Sequence, residues 1–135
     1  MPHVSRIKLP LKEEKELIEA LKVCFMRVEG SWKMDKFLDS ILTQTEKVML
    51  AKRLAVVVML KENFSEQDIA DSLHVTRVTV ERIKHYLENH WQGFEFALEA
   101  LEKEKRLKVL KRILISLARY SIRAAGGYVK PKILD

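Results

Sequence analysis

The chain has one cysteine, Cys24, four glycines and three prolines in its 135 residues. A single thiol excludes an intrachain disulfide and any cysteine-rich zinc centre, and it fits a reducing compartment. Few breakers are present and β-branched residues rarely alternate with polar ones, so the expected fold class is all-α, with no sheet. Long hydrophobic stretches are missing as well. The longest apolar run is Leu54–Leu60, far short of the roughly 20 residues of a membrane-spanning helix, and no membrane partner is expected. The N-terminal residues are mixed and charged, without the apolar core of a secretory leader, which makes the cytoplasm the expected location.

Catalytic signals are equally sparse. No Gly-rich phosphate loop, nucleophile elbow or paired-carboxylate site is found. His3, His74, His85 and His90 do not form a ligand set, since His85 and His90 are five residues apart and fall on different helical faces. Glu13, Glu14, Glu16 and Glu19 read as a solvated helix face. The expectation is therefore no catalytic residue, no metal site, no cofactor and no enzyme.

What is present is a composition of 47% hydrophobic and 33% charged residues, typical of one globular domain. The net charge of +6 is unevenly spread: residues 101–135 carry ten Lys/Arg against three Asp/Glu, a net +7, which leaves residues 1–100 at −1. A basic segment suits a polyanion through counterion release, and it equally suits a solvated helix face.

Periodicity places the helices. Residues 1–10, with Pro2 and Pro10, read as an N-terminal arm. Leu17, Ile18, Leu21, Cys24, Phe25 and Val28 then form an apolar stripe at helical spacing that Gly30 is expected to end. Ser31 is placed to cap a short second helix carrying Trp32, Phe37, Leu38, Ile41 and Leu42. Thr43 and Glu46 spell a capping box, in which the hydroxyl accepts an orphan amide and the carboxylate reaches back. The third helix runs from there to about Glu62, with Asn63 as its C-cap, and its apolar residues cover most of the circumference, which predicts burial between neighbouring helices or between subunits. Gly93 is expected to break the pattern before a last helix from about Phe94 to Ala125, closed by Gly126-Gly127. In it Leu107, Leu110, Leu114 and Leu117 make a short seam, for intrachain packing or for a dimer contact. Methionines and phenylalanines throughout are read as core.

The most specific signal lies at residues 65–87. Two helices that cross closely need a small residue at the crossing and apolar residues at fixed inward positions. Ala70 is the small residue, and Ile69, Leu73, Val75, Val80 and Ile83 fill the inward positions. Ser65 and Thr76 are N-cap residues for the two helices. His74 takes the turn position where glycine is usual, which is feasible because His tolerates the left-handed region. This is the pattern of a helix-turn-helix, whose second helix enters the major groove of double-stranded DNA. Thr76, Arg77, Val78, Glu81, Arg82 and His85 then project toward base edges, and Thr79 with Gln67 is placed for phosphate or base contact. Arg77 suits guanine, Val78 a thymine methyl and Glu81 the amino group of cytosine. An ordinary helical hairpin, or a helical protein-interaction module without specific DNA binding, would share part of this pattern.

The run from Ile41 to Leu54, Ile-Leu-Thr-Gln-Thr-Glu-Lys-Val-Met-Leu-Ala-Lys-Arg-Leu, followed by the helix-turn-helix, resembles the Trp repressor superfamily. It looks most like the YerC/YecD-like branch, in which a Leu-Thr-x-x-Glu opening precedes a long helix with an internal Arg. The resemblance covers about residues 35–90. It implies a Trp repressor-like helical domain over residues 11–92, an intertwined homodimer with two reading heads, and a C-terminal helical extension and tail at 93–135. Family members that use tryptophan as corepressor hold it near the reading head, and Thr43, Arg53 and Arg82 match those positions as effector or phosphate contacts. Ile83, however, stands where the tryptophan-responsive pattern has glycine, and Tyr86 replaces a small serine, which argues against a tryptophan effector. Gln67 stands where that pattern has a base-contacting arginine, so a different operator is implied. The expected function is a sequence-specific DNA-binding transcriptional regulator, a repressor by family resemblance.

Overall fold

The computed structural model describes residues 6–124, all of whose regular elements are helices: α1 Leu11–Arg27, α2 Ser31–Ile41, α3 Gln44–Lys61, α4 Glu66–Leu73, α5 Arg77–Leu87, α6 Trp91–Lys103 and α7 Leu107–Ala124. The all-α expectation is met. The expected Gly126-Gly127 closure lies outside the described residues. The chain divides into two compact units between Met49 and Leu50, so that α3 begins in the first and ends in the second.

In the first unit, α1 starts after Pro10, whose fixed φ suits a helix entry, and carries Glu13 and Glu14 in its first turn and Arg27 in its last, each sign matching the helix dipole. The helix stops at Arg27, and Val28 is extended. Gly30 therefore does not close α1. It sits at φ +91 as the residue in front of α2, a conformation that only a residue lacking Cβ takes cheaply, and Ser31 is the first helical residue instead of the cap. Phe25 and Phe37 meet edge to face with ring centroids 5.3 Å apart. The Thr43–Glu46 capping box forms as expected: Glu46 N–H donates to Thr43 Oγ1 at 3.1 Å and Thr43 N–H to Glu46 Oε1 at 2.9 Å. Those bonds, the backbone one first, hold the Glu46 carboxyl below its ordinary value of 4.5. An ion pair of Lys47 with Asp39 ties the start of α3 to the end of α2.

No residue of α1 or α2 is buried, and the reading of every methionine and phenylalanine as core is corrected here. Leu17, Ile18, Phe25, Met26 and Trp32 are all exposed, as are Val48 and Met49 at the start of α3. The apolar stripe of α1 is real, but among the described residues it is covered only in part, Phe25 meeting Phe37 while Leu17, Ile18 and Leu21 stay exposed.

The second unit holds the core. Ala55, Val56, Val57, Val58 and Met59 are buried consecutively. Five successive residues sweep more than one full turn at about 100° each, so α3 is enclosed on every side at this level. Its end is a Schellman closure: Asn63 is left-handed at φ 64, Phe64 N–H donates to Met59 O and Asn63 N–H to Leu60 O, both at 3.1 Å. Around this helix pack Ile69, Ala70 and Leu73 of α4, Val80, Ile83 and Leu87 of α5, Leu98 of α6, and Leu114 and Ala118 of α7.

Two expectations about the C-terminal part are corrected. Gly93 breaks nothing, being the third residue of α6. The single helix expected from Phe94 to Ala125 is two helices, parted at Glu104–Arg106, where Lys105 takes φ 57 and Arg106 N–H reaches Leu101 O at 2.8 Å. No glycine or proline marks that break. Packing explains it: the turn lets Leu98 and Leu101 of α6 and Leu107, Leu110 and Leu114 of α7 reach the same core. Of the expected seam, Leu107, Leu110 and Leu114 are spent on this intrachain packing, and Leu117 remains exposed. α7 lies against α4 and α6, and Lys111 pairs with Glu62 at 2.5 Å. The basic C-terminal helix thus buttresses the first helix of the 65–87 motif.

Candidate nucleic-acid interface

The helix pair at 65–87 is built by local bonds that the residue types dictate. Ser65 Oγ accepts from Asp68 N–H at 3.0 Å and starts α4. After Leu73 the chain turns through His74, left-handed at φ 54 and ψ 49, while Val75 N–H closes onto Ala70 O at 3.1 Å. Thr76 Oγ1 accepts from Thr79 N–H at 3.1 Å and starts α5, and the two threonine hydroxyls lie 2.8 Å apart. α4 packs directly on α5. Ala70 is buried, as are Ile69, Leu73, Val80 and Ile83, and Val75 packs against them partly buried. Ser72, buried beside them, returns its hydroxyl to Asp68 O at 2.5 Å, so no polar group is stranded there.

Burial of Val80, Ile83 and Leu87 defines the inner face of α5. At about 100° per residue the opposite ridge is Val78, Glu81, Arg82 and His85. All four are exposed, with Val78 at 54%. His85 lies 3.6 Å from Glu88 through Nδ1. Tyr86 stacks flat on His90 with centroids 4.0 Å apart. Thr76 is exposed and Thr79 half-buried, their hydroxyls engaged with each other. Gln67, on α4, is exposed and donates to Asp71 Oδ1 at 2.9 Å.

Arg77 lies on the flank of α5 that faces the start of α4. Its Nε is 3.6 Å from Glu66 Oε2 and 3.5 Å from Glu81 Oε1, and Lys84 Nζ is 3.3 Å from Glu66 Oε1. The Lys84 hydrogen bond is the main cause that holds the Glu66 carboxyl below its ordinary 4.5, with the charges of Lys84 and Arg77 adding to it. Glu66 and Lys84 were not among the residues that the sequence singled out. The signal was there in part: Arg77, Glu81 and Lys84 follow at i, i+4 and i+7 on one helical face. The partner Glu66, 18 residues before Lys84, belongs to another helix.

Of the residues matched to an effector or phosphate role, Thr43 spends its hydroxyl on the capping box, Arg53 is half-buried on α3, and Arg82 is exposed on α5. Ile83 is buried and Tyr86 is exposed beside His90. Among the described residues no cluster of side chains suits a metal ion, and no helix is long and apolar enough to cross a membrane.

Chemically, this unit offers a rigid, capped helix with an exposed ridge of mixed apolar, acidic and basic side chains. The family model described as Trp repressor protein matches residues 13–102, from α1 through most of α6, and α7 lies outside the matched stretch. No curated protein and no solved structure matches the chain.

Proposed function

Because the chain belongs to the Trp repressor family, we propose that it is a sequence-specific DNA-binding transcriptional regulator, acting as a repressor by occupying its operator. The observation that carries this reading is α5 itself. Capped by Thr76 and seated on Val80, Ile83 and Leu87, it turns Val78, Glu81, Arg82 and His85 outward, and Arg77 stands beside them. Arginine bonds guanine O6 and N7, valine meets a thymine methyl and glutamate accepts from cytosine, so the ridge is suited to reading base edges. Thr76, Thr79 and Gln67 are positioned for phosphate or base contact at the edge of the same surface.

The active form is a homodimer. The exposed apolar side chains of α1 support this, Leu17 and Ile18 among them at 59% and 58%. Two heads related by a dyad read a palindrome with half-sites about 34 Å, or one helical turn, apart. Replacing both Leu17 and Ile18 by glutamate is expected to leave each chain folded, since neither side chain is buried in it, and to shift the species seen by sedimentation equilibrium from dimer to monomer. A dimer that persists unchanged would remove α1 from the interface.

Tryptophan is not the effector in this reading. Ile83 fills the position where the tryptophan-responsive pattern has glycine. Saturating tryptophan is accordingly expected to leave operator affinity unchanged.

Selection from random duplex DNA tests the function. Enrichment of a palindrome with half-sites about 10 base pairs apart is the expected result. Failure to enrich any sequence would reject the regulator and leave a helical module that docks protein partners.

A further inference from the structure

The ion pairs across the helix pair bear on how the head discriminates between sites. Glu66 is the first residue of α4, next to the Ser65 cap, where a helix N-terminus favours a carboxylate. Its side chain is the least exposed of the group, at 22% against 61% for Arg77, 51% for Glu81 and 56% for Lys84. One anchored carboxylate therefore faces two cations of α5: Oε1 toward Lys84 and Oε2 toward Arg77. Glu81 approaches the same Nε of Arg77 at 3.5 Å. The charges of this cluster cancel, two acids against two bases. Both approaches to Arg77 are at Nε, which leaves the two terminal nitrogens for a bidentate bond to guanine O6 and N7, so ion pairing and base contact are compatible.

We infer that Glu66 is a positioning residue that sets specificity: it holds Arg77 in register for a base and keeps Arg77 and Lys84 from serving as general phosphate contacts. The inference rests on the DNA-reading role of α5 proposed above. Non-specific affinity grows with the number of phosphates that lysine and arginine neutralise, at a slope of about −0.9 per phosphate in the logarithm of affinity against that of salt. A cation already paired with a fixed carboxylate neutralises less phosphate charge, and its guanidinium is preorganised for the groove. The head thereby gives up indiscriminate attraction and keeps the contact that carries sequence information.

The test compares wild type and Glu66→Gln by fluorescence anisotropy, on the selected duplex and on a scrambled one, across a series of salt concentrations. Glu66→Gln is expected to bind the scramble on the order of three- to tenfold more tightly, with a salt slope steeper by about 1–2, and to lose preference for the base pair that Arg77 reads. Glu66→Asp keeps the charge one methylene short and should fall between. A merely structural ion pair would change thermal stability and leave the salt slope alone. Should Glu66→Gln fail to fold, Glu66→Asp carries the test alone, with a scramble affinity and salt slope between those of wild type and full release as the expected result. Wild type that discriminates, alongside variants with unchanged scramble affinity and slope, overturns this inference and spares the proposed function. Wild type that discriminates between no duplexes overturns both.

Discussion

Arg77→Ala is expected to lower affinity for the selected palindrome by one to four powers of ten. The magnitude follows from the contact: a bidentate arginine–guanine pair is worth about 1–3 kcal/mol of discrimination, and a symmetric dimer loses two of them, roughly 2–6 kcal/mol in all. The change should be selective. Preference at one base pair in each half-site relaxes, while affinity for scrambled DNA falls little, because Arg77 is paired with Glu66 and Glu81 rather than free to serve phosphates. Lys84→Gln provides the contrast. Lys84 is bound to Glu66 and stands off the ridge of Val78, Glu81, Arg82 and His85, next to the buried Ile83, so site preference should survive. Anisotropy titration of single-base variants of the palindrome measures both. Uniform weakening across every duplex by Arg77→Ala would assign that residue to the backbone and remove it from base readout.

The second large effect concerns the scaffold. Met59→Ala is expected to cost about 2–5 kcal/mol of folding stability, measured by chemical denaturation. Met59 is wholly buried in the part of α3 that is enclosed all round, so the cavity left by truncation has no solvent-facing side through which to collapse. The same residue's carbonyl closes the helix through Phe64 N–H, just ahead of the Ser65 cap that starts α4. Disturbance there should pass to the reading head, and DNA affinity should fall with stability near the denaturation midpoint. A loss below about 1 kcal/mol would mean that the site repacks around the missing side chain.

These two predictions draw on features of different legibility. Whatever was encoded locally could be read: the Thr43–Glu46 box, the Ser65 and Thr76 caps, the stop at Asn63, the left-handed His74, and the inward positions Ile69, Ala70, Leu73, Val80 and Ile83. The caps and turns depend on residues three to five apart, within reach of a single turn, and the inward positions follow from helical spacing. What depends on packing between distant elements could not. The break at Lys105 has no glycine or proline to announce it, and exists because α6 and α7 bring leucines to one core. Glycines misled in both directions, since Gly93 continues a helix and Gly30 precedes one. Apolar periodicity in α1 predicted a buried face, yet periodicity says only that a face is apolar and not which chain covers it. In the head, the ridge of α5 was readable from its own spacing, whereas the pairing of Lys84 and Arg77 with Glu66 required the two helices to be docked.

The position of α7 adds to the picture of the head. It packs on α4 outside the stretch matched by the family model, and one of its basic residues, Lys111, is committed to Glu62. Part of the C-terminal charge is thus structural, which lowers the share open to a polyanion.

The most direct test of the central claim, that α5 reads DNA sequence, is a titration of the chain against its selected palindrome and a scrambled duplex of equal length at several salt concentrations. Binding to the palindrome is expected to be at least about a thousandfold tighter than to the scramble at physiological salt, with a preference that persists as salt rises. Equal affinity for both duplexes, falling together with salt, would contradict it and leave only a basic surface attracted to phosphate.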